Sequence, residues 1–401
     1  MGNGSSPKNS SGRKSSGNSG MDRRPSSSKK SSSKKGSSKK AAKKQRNKIF
    51  LLIGEIAILA VLAVVVFIVF KGTNEETGVE KINVEEAEVI STEISSYFDQ
   101  TKVQGADGTE KSLSDMYLQV ALFGVDSREG ELAKNTRTDT IIIASINRET
   151  KEVKLCSVYR DTYLNLSNDQ YNKCNSAYAK GGPAQAINML NMNLDLNITN
   201  YVTVGFKGVV DTVDALGGVP IEIESGEIGY LNDYQYCIAE DLNRMNQYVK
   251  VTDSGLQTLN GLQACGYCRI RYTAGDDFRR TERQRTVLTK MSDQAKTMSA
   301  AQLTNICNNS FSNIVTSFDI NELISYAVDI PNYNIVGSEG FPFADYRAVA
   351  TLGSKGSCVV PTDLETNVAM LHKYLFGVDY TPSETVHNCS VKIAEDARPY
   401  L

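Results

Sequence analysis

Histidine is scarce in this chain, with only His372 and His387 among 401 residues. A Ser-His-Asp set needs a histidine beside its nucleophile, and zinc sites are usually built from histidines and paired cysteines. The chain has a single Cys-x-x-Cys spacing, formed by Cys265 and Cys268. These shortages argue against a serine hydrolase and against a zinc site. A general base, if the chemistry needs one, is therefore a carboxylate.

All eight cysteines lie after residue 70, and an even number permits disulfides whose pairing cannot be deduced from sequence. We interpret the stretch around Cys265 and Cys268 as a strand, on which this spacing points the two side chains to opposite faces. That arrangement is unlike a redox pair at a helix start. We expect mostly buried free thiols, and one or two bridges are the open alternative.

Charge divides the chain sharply. Residues 1–48 contain fifteen basic residues and one acid, whereas the rest contains 29 basic and 45 acidic residues. The first segment repeats SSKK units and has almost no apolar residues, which predicts a disordered basic tail. Its charge suits anionic lipid headgroups. Nucleic acid is the rival partner and is less favoured, because a hydrophobic segment follows directly.

Residues 49–70 form an apolar run of 22 residues in which Glu55 is the single charge. A helix of this length, at about 1.5 Å per residue, spans a hydrocarbon core. No small-x-small cleavage site precedes Lys71, so we predict an uncleaved transmembrane helix rather than a signal peptide. The basic tail before it predicts a single-pass protein of the cell membrane with a cytoplasmic N-terminus and an extracellular C-terminal domain.

Short apolar runs rich in β-branched residues predict strands at 117–125, 140–146 and 153–159. The last two are separated by a connection of hairpin length, so we expect them to be antiparallel neighbours. A helix is expected to start at residues 181–183, and a strand, helix and strand to cover 201–224, with Gly217–Gly218 ending that helix. This alternation predicts an α/β fold with a central mixed sheet flanked by helices.

The remaining segments complete the domain prediction. Residues 71–116 are interpreted as a linker and a short helix, residues 117–378 as one extracellular catalytic domain, and residues 379–401 as a loosely ordered C-terminal extension. Within the domain, residues 226–258 are expected to be irregular, as an insertion or a lid. Helices are expected near 299–317, 320–329 and 363–376, and strands near 333–337 and 357–360.

Residues 268–285, CRIRYTAGDDFRRTERQR, are dense in arginine and contain no lysine. The six arginines are Arg269, Arg271, Arg279, Arg280, Arg283 and Arg285. Arginine favours bidentate recognition of phosphate or carboxylate. The first two are spaced to share one face of a strand, and the last four open a helix, whose N-terminus also favours anions. A solvated basic helix face is the simpler explanation, but the surrounding region is acidic.

Polar motifs stand at the ends of the three predicted strands, namely GVDSR (124–128), RTDT (137–140) and YRDT (159–162). In open α/β sheets, sites collect at such ends. Arginines that converge with aspartates are what a pyrophosphate and a hard divalent cation require. Each motif alone is often a turn former or a surface ion pair, so the argument depends on their joint occurrence.

The chain resembles the LytR-CpsA-Psr family in segments that follow that family's order and spacing. These are the three strand-end motifs, NSAYAKGGP (175–183), DALGG (214–218), LNG (259–261), CRIR (268–271) and DFRRTERQR (277–285). The likeness covers roughly residues 117–376. One departure is Arg279, which occupies the glycine position of the family's usual D-F-G-R. The larger residue either alters a loop that needs a positive φ or adds a phosphate contact.

The resemblance implies an enzyme that transfers a glycopolymer from polyprenyl pyrophosphate to peptidoglycan as a phosphodiester. It implies Mg²⁺, with Mn²⁺ as the alternative, held by Asp126 and Asp139. It implies pyrophosphate binding by Arg160, Arg269, Arg271, Arg280, Arg283 and Gln284. The catalytic residues would be Arg160, Asp277 and Arg280, and either Asp277 or Asp161 would be the general base. The family's fold also holds the lipid tail in an apolar pocket, which composition cannot distinguish from ordinary core.

The leading hypothesis is therefore a membrane-anchored phosphotransferase for teichoic acid or a similar anionic wall polymer. A polyprenyl-pyrophosphate phosphatase, with water as the acceptor, would use the same arginines. A non-catalytic envelope sensor or transcriptional attenuator is the third hypothesis. The tail has no helix-turn-helix pattern, and a regulator of this kind would function without the catalytic aspartates.

Overall fold

A computed structural model describes residues 92–127, 132, 136–271, 276–299, 302, 314–318 and 332–401. The predicted basic tail and the predicted transmembrane helix at 49–70 lie outside these residues and stay predictions. In the described part of the chain, no helix combines the length and the apolar composition needed to cross a bilayer.

The described part of the chain contains fourteen strands and nine α-helices, besides three short 3₁₀ helices. The strands are β1 (Lys102–Gln104), β2 (Glu110–Ser112), β3 (Tyr117–Val125), β4 (Thr138–Asn147), β5 (Glu152–Val158), β6 (Tyr163–Asn165), β7 (Tyr171–Lys173), β8 (Asn200–Gly205), β9 (Val219–Ile223), β10 (Gly255–Leu259), β11 (Ile314–Thr316), β12 (Asn334–Phe341), β13 (Arg347–Thr351) and β14 (Ser357–Pro361). The helices are α1 (Thr92–Gln100), α2 (Leu113–Met116), α3 (Ser176–Leu194), α4 (Phe206–Ala215), α5 (Ile228–Asp241), α6 (Gly261–Arg269), α7 (Asp276–Lys296), α8 (Leu364–Phe376) and α9 (Glu384–Ala397).

Six of the strands form one central sheet in the order β11-β8-β3-β4-β5-β12. The pairs β3–β4, β4–β5 and β11–β8 are antiparallel, whereas β3–β8 and β12–β5 are parallel. The predicted mixed sheet is thus confirmed, as are the first three strands and the antiparallel pairing of the second with the third. Their β-branched runs suit a sheet that is covered on both sides.

Helices cover the sheet because its side chains alternate between two buried faces. Ala121 and Phe123 of β3 pack into a large core with residues of α3, α8 and α9. Val120 and Leu122 point to the opposite face, where Leu288 of α7 packs against them. The α/β architecture with flanking helices is therefore confirmed.

Helix α3 begins earlier than the sequence indicated. Its backbone is non-helical at Gly181 and at Gly182, which has φ +67°, and Pro183 then starts the second half. The predicted chain break at Gly181–Gly182 and the predicted helix start at Pro183 are therefore confirmed, whereas the helical segment from Ser176 that precedes them was missed. Helix α4 ends before Gly217–Gly218 as predicted.

The predicted irregular region at 226–258 is wrong, because it contains α5 and β10. β10 pairs with β9 in a separate two-stranded sheet, so β9 is not part of the central sheet. Amides of Asn232 and Gln235 on α5 donate hydrogen bonds to the carbonyl groups of Val251 and Val249, at 2.8 and 3.1 Å. These bonds hold the apparently irregular stretch 242–254 against the helix.

The predicted strand over the Cys265–Arg271 region is also wrong. Asn260 starts α6 with a capping box, because its side chain accepts from the backbone of Gln263 and the Gln263 side chain accepts from the backbone of Asn260. The cysteines are therefore spaced along a helix. The prediction of free thiols is confirmed for the seven described cysteines, five of which are buried; Cys307 lies outside the described residues.

The last part of the chain is more ordered than predicted. Residues 384–397 form α9, which is capped by Ser383 and buries Val386, Cys389 and Ile393. The prediction of loosely ordered final residues is therefore wrong, whereas α8, β12 and β14 were predicted correctly. Strand β11 occupies the end of the helix predicted at 299–317. The remainder of that helix, apart from residue 302, and the whole of 320–329 lie outside the described residues.

Candidate functional site

A cavity of about 680 Å³ lies where β3 and β8 end and β4 begins. β3 and β8 are parallel, so their carboxyl ends meet at one edge of the sheet, and antiparallel β4 starts at the same edge. This topology brings Asp126, which follows β3, into the same cavity wall as Asp139 of β4. Two of the strand-end motifs thus meet, although more than ten residues separate them in sequence.

The cavity wall has a polar part and an apolar part. Leu122, Ile142 and Val202 lie side by side on three neighbouring strands and line the cavity below the strand ends. Helices α4, α6 and α7 supply further apolar side chains, and the wall also includes Val209, Val287, Leu288, Met291 and Ile314. The apolar part is the feature that the sequence could not distinguish from ordinary core.

Five arginines and one glutamine line the polar part: Arg137, Arg160, Arg269, Arg271, Arg280 and Gln284. Arg160 follows β5, Arg269 and Arg271 lie at the end of α6, and Arg280 belongs to α7. The structure therefore brings together five of the six residues expected to bind pyrophosphate. Arg137 was not among them, although it stands in the RTDT motif.

Arg280 is the most deeply buried cation of the cavity wall, with 2% of its surface exposed. Its Nε and Nη1 atoms are buried and have no hydrogen-bond partner among the described residues. Burial lowers the pKa of its guanidinium to about 10, although Asp277 counteracts this effect. Buried donors without partners are rare in native proteins, so an anion in the cavity is their expected partner.

Three aspartates approach the arginines. Asp139 Oδ1 lies 2.5 Å from Arg160 Nη1. Asp277 Oδ1 lies 3.0 Å from Arg280 Nη2, 3.8 Å from Arg160 Nε and 3.9 Å from Arg271 Nε. Asp126 Oδ2 lies 3.9 Å from Arg269 Nη2. The arginines are thus held in place by carboxylates before any ligand binds.

The same arginines leave two of these carboxylates with opposite pKa shifts. Burial of Asp139 opposes its ionisation, but Arg160, Arg280 and Arg271 outweigh that cost and lower its pKa. For Asp277, burial is the larger effect and raises its pKa, because Arg280 and Arg160 compensate only in part and Asp161 adds repulsion. Groups whose pKa values are pushed apart are suited to different roles.

Arg283 lies outside the cavity wall described here. Its Nε donates to Glu227 Oε1 at 2.8 Å, and both side chains are 2% exposed. Its Nη1 donates to the carbonyl oxygen of Ile270 at 3.2 Å, between the two arginines at the end of α6. Its position therefore gives no support for the expected pyrophosphate contact and indicates that it holds the 269–271 segment.

Arg279, the departure from the family pattern, has an ordinary helical position in α7. It is not among the residues with positive φ. Its guanidinium pairs with Glu224 at 2.5 Å and with Glu282 at 3.2 Å. The substitution therefore strains no loop, and in the described structure it adds no group to the cavity wall.

Sequence reasoning also missed the aromatic support of Arg269. The guanidinium carbon of Arg269 lies 4.6 Å from the ring centroid of Phe206 and 5.5 Å from that of Tyr234. Both rings line the cavity, and such contacts orient a guanidinium. The only available signal was the place of Phe206 at the end of the predicted strand 201–206.

The two expected metal ligands fit a hard cation in part. Asp126 and Asp139 line one cavity, and Asp126 Oδ1 is buried without a hydrogen-bond partner among the described residues. No group of three potential ligand side chains occurs in the described part of the chain. Mg²⁺ bound with phosphates often uses only one or two protein carboxylates, so this donor set is compatible with it.

Comparison with known proteins decides the family. Residues 74–345 match the model of the LytR_cpsA_psr family. The chain belongs to this family. The expected family resemblance is thereby confirmed, and the LytR_cpsA_psr match includes every cavity-lining residue described above.

Relatives within the LytR_cpsA_psr family have two kinds of names. Biofilm regulatory protein A of Streptococcus mutans is 27% identical over 293 residues, which are 65% of this chain and 69% of that protein. The polyisoprenyl-teichoic acid–peptidoglycan teichoic acid transferase TagT of Bacillus subtilis is 30% identical over 183 residues, which are 45% of this chain and 53% of that protein. The matches thus span about half to two thirds of these relatives.

Solved structures share the fold. TagT bound to LI-WTA superposes with a TM-score of 0.51 at 23% identity, over 69% of this chain and 100% of that chain. A Streptococcus agalactiae protein, gbs0355, superposes with a TM-score of 0.54 at 24% identity, over 68% of this chain and 92% of that chain. At these identities the likeness establishes the fold alone.

Proposed function

We propose that this protein is a phosphotransferase that moves an anionic glycopolymer, teichoic acid or a similar polysaccharide, from polyprenyl pyrophosphate to peptidoglycan. The observation that carries the proposal is the buried Arg280, whose unpartnered Nε and Nη1 belong to a cavity wall with both an arginine-rich and an apolar part. A lipid pyrophosphate has two matching parts, an anionic pyrophosphate and an apolar chain. The transferase name of TagT, a relative in the same family, supports this assignment.

Charge in the cavity favours a pyrophosphate. Five arginines and two aspartates line it, so positive charge exceeds negative charge before the ligand binds. One arginine guanidinium can donate two parallel hydrogen bonds to two phosphate oxygens. Charges in a partly dehydrated site also interact more strongly than in water. Catalysis of phosphoryl transfer depends mainly on such positioning and charge neutralisation.

Asp277 is the proposed general base. The acceptor hydroxyl of peptidoglycan attacks the phosphorus atom attached to the polymer, and its proton passes to a carboxylate. The new P–O bond forms a phosphodiester, while the P–O bond to the second phosphate breaks and polyprenyl phosphate leaves. Burial raises the pKa of Asp277, which makes its carboxylate a stronger proton acceptor than that of an exposed aspartate, and Arg160 and Arg280 stabilise the charge on the phosphates.

Asp126 and Asp139 are the proposed ligands of Mg²⁺ or Mn²⁺. The cation would neutralise phosphate charge and orient the pyrophosphate. The unpartnered Oδ1 of Asp126 supplies a free oxygen donor, and the lowered pKa of Asp139, in which the arginines outweigh the effect of burial, supports an ionised second ligand. Arg160 pairs with Asp139, and Arg269 lies near Asp126.

We further propose that residues 49–70 anchor the chain in the cell membrane, with the basic tail in the cytoplasm near anionic lipids and the catalytic domain outside. The apolar run and the charge asymmetry support this topology. It would place the cavity on the side where lipid-linked polymer and peptidoglycan meet.

The test is a transfer assay with the full-length chain in detergent, labelled lipid-linked polymer, peptidoglycan and Mg²⁺. We expect transfer by the wild type, little by Asp139→Ala and Arg271→Ala, and nearly unchanged transfer by Arg279→Ala, a matched arginine outside the cavity wall. EDTA should abolish transfer. A reaction that continues in EDTA would show that transfer does not require the proposed metal ion. Equal transfer by all variants would reject the site.

The same assay separates the alternative functions. Release of polymer into water with no attachment to peptidoglycan would identify a pyrophosphatase. The name of Biofilm regulatory protein A keeps a regulatory role as the second candidate. If neither transfer nor release occurs and Asp139→Ala still supports the protein's cellular role, the chain is a non-catalytic envelope sensor.

A further inference from the structure

Arg347 is the first residue of β13 and lies two residues beyond the family match, which ends at 345. Its guanidinium carbon lies 4.0 Å from the ring centroid of Phe278 and 4.9 Å from that of Tyr159. Its Nη1 donates to the hydroxyl oxygen of Tyr159 at 2.8 Å and to the carbonyl oxygen of Pro342 at 3.1 Å. One side chain thus engages both rings and the loop before β13.

The two rings adjoin the residues proposed for catalysis. Tyr159 precedes Arg160 at the end of β5, and Phe278 follows Asp277 in the first turn of α7. The rings contact each other edge to face, with centroids 4.6 Å apart. Next to these rings in sequence, Arg160 and Asp277 also approach each other, with Arg160 Nε 3.8 Å from Asp277 Oδ1. The stack therefore joins the two elements whose side chains meet at the reaction site.

Tyr159 has little freedom to move away from this stack. Its backbone N–H donates to the carbonyl oxygen of Phe341 at 3.0 Å. A Cβ added to Gly340 would lie 2.0 Å from its hydroxyl oxygen, so the phenol packs directly on the backbone of β12. Tyr159 is 5% exposed, whereas Phe278 and Arg347 are half-buried. Loss of Arg347 would therefore release the side chain of Phe278, and with it the neighbouring Asp277, before it moved Tyr159.

We propose that Arg347 is a positioning residue that sets the approach of Asp277 to Arg160 by clamping Phe278 against Tyr159. This inference rests on the proposed phosphotransferase function. Arg347 is not among the residues that line the described cavity, so it contributes to the rate of transfer and leaves lipid pyrophosphate binding unchanged. Misplacement of reacting groups by an ångström or less is costly to rate, and a guanidinium over two rings is a specific restraint.

The experiment measures kcat and KM for lipid-linked polymer with the full-length chain, and the Kd of geranylgeranyl pyrophosphate by calorimetry. Arg347→Met keeps an apolar stem and removes the guanidinium. We expect kcat to fall about tenfold, with KM and Kd within about twofold of wild type. Arg347→Lys, which keeps the charge, should recover part of the loss. In a Phe278→Leu background the Arg347 substitution should have little further effect, because the two act through one contact.

Lys355→Met is the matched control, because Lys355 Nζ lies over a different ring, 5.3 Å from the centroid of Tyr163, and Lys355 is not among the cavity-lining residues. The kcat of this variant should equal that of wild type. A wild-type kcat for Arg347→Met would overturn the inference, and so would an undiminished loss in the Phe278→Leu background. If Arg347→Met does not fold, the Arg347→Lys and Phe278→Leu variants test the inference instead. A wild-type kcat in both of these variants would overturn it. A wild type without transfer activity would reject the proposed function and this inference together.

Discussion

Three arginines within two turns of α7 have the same chemistry and different surroundings. Arg279 is partly buried and pairs with glutamates, Arg280 faces the cavity with unpartnered donors, and Arg283 is buried against Glu227. The helical repeat explains the difference, because successive residues point in directions about 100° apart. The sequence indicated that the cluster binds an anion, but it could not show which members reach the cavity.

The buried pair of Arg283 with Glu227 allows a test at this scale. We expect Arg283→Met to lower the free energy of unfolding by about 3–5 kcal/mol, because it leaves Glu227 buried without its partner. Glu227→Gln should also destabilise the protein, and the double variant should lose less than the sum of both. Urea denaturation of the full-length chain in detergent measures these differences.

The ion pair of Arg279 with Glu224 supplies the control for this double-variant experiment. Arg279→Met removes an arginine whose partner Glu224 is 64% exposed, and we expect a loss below about 1 kcal/mol. Strict additivity of the two buried substitutions would show that Arg283 and Glu227 are not energetically coupled.

At the scale of elements, sequence patterns predicted the central strands well and α6 badly. β-Branched runs such as 140–146 fit a strand only when both faces are buried, as they are here. Arg269-Ile270-Arg271 alternates with the period of a strand, but Arg269 is the last residue of a helix that starts at the Asn260–Gln263 capping box, and Ile270 is the C-cap of that helix. The capping-box signal for the start of α6 was present in the sequence. The alternation of Arg269 and Arg271 was given more weight, and it led to the wrong prediction of a strand.

Close packing of α6 on α4 leads to a prediction for an element. A Cβ added to Gly261 would lie 2.2 Å from the carbonyl oxygen of Val210, a backbone atom that cannot swing away. We expect Gly261→Ala to destabilise the protein by about 1–3 kcal/mol and to weaken binding of geranylgeranyl pyrophosphate, because α6 carries Arg269 into the cavity. Urea denaturation and calorimetry measure the two effects.

Gly229 is the matched control, since a Cβ added there, in the first turn of α5, meets no atom within 4 Å. Gly229→Ala should leave binding unchanged and alter stability by less than about 1 kcal/mol. Similar behaviour of both variants would mean that α6 can shift away from α4 without cost.

At the scale of the whole molecule, the site exists only after folding. The cavity takes side chains from β3, β4, β8, α4, α6 and α7, and no single segment contains enough of them. Family resemblance anticipated the arginines and aspartates by type. The apolar wall, the rings under Arg269 and the role of Arg347 depend on tertiary contacts, which have no local pattern.

A buried histidine in the core gives the fold a dependence on pH. His372 is completely buried and stacks on Tyr380 with centroids 3.8 Å apart, and burial lowers its pKa to about 4. The unfolded value is near 6.5, about the ordinary value. Between the two values the unfolded chain binds more protons, so this group lowers stability as pH falls from about 6.5 to about 4. Asp195, whose pKa burial raises, contributes with the opposite sign.

We therefore expect His372→Phe to show a flatter stability profile than wild type. The loss of unfolding free energy between about pH 6.5 and pH 4.5 should be smaller in the variant by roughly 2 kcal/mol. Chemical denaturation at several pH values measures it, and the slope matters rather than the absolute stability. An unchanged slope in His372→Phe would assign the effect to other groups.

Helix α9 has a practical consequence for anyone who shortens this protein. A version cut at residue 345, where the family match stops, would keep all the cavity arginines. It would also strip α8 and α9 from the large core, where Leu371, Leu375 and Ile393 are completely buried. The apolar face of the sheet that these helices cover would then be exposed to solvent. We expect the truncated protein to aggregate or to be proteolysed before its activity could be measured.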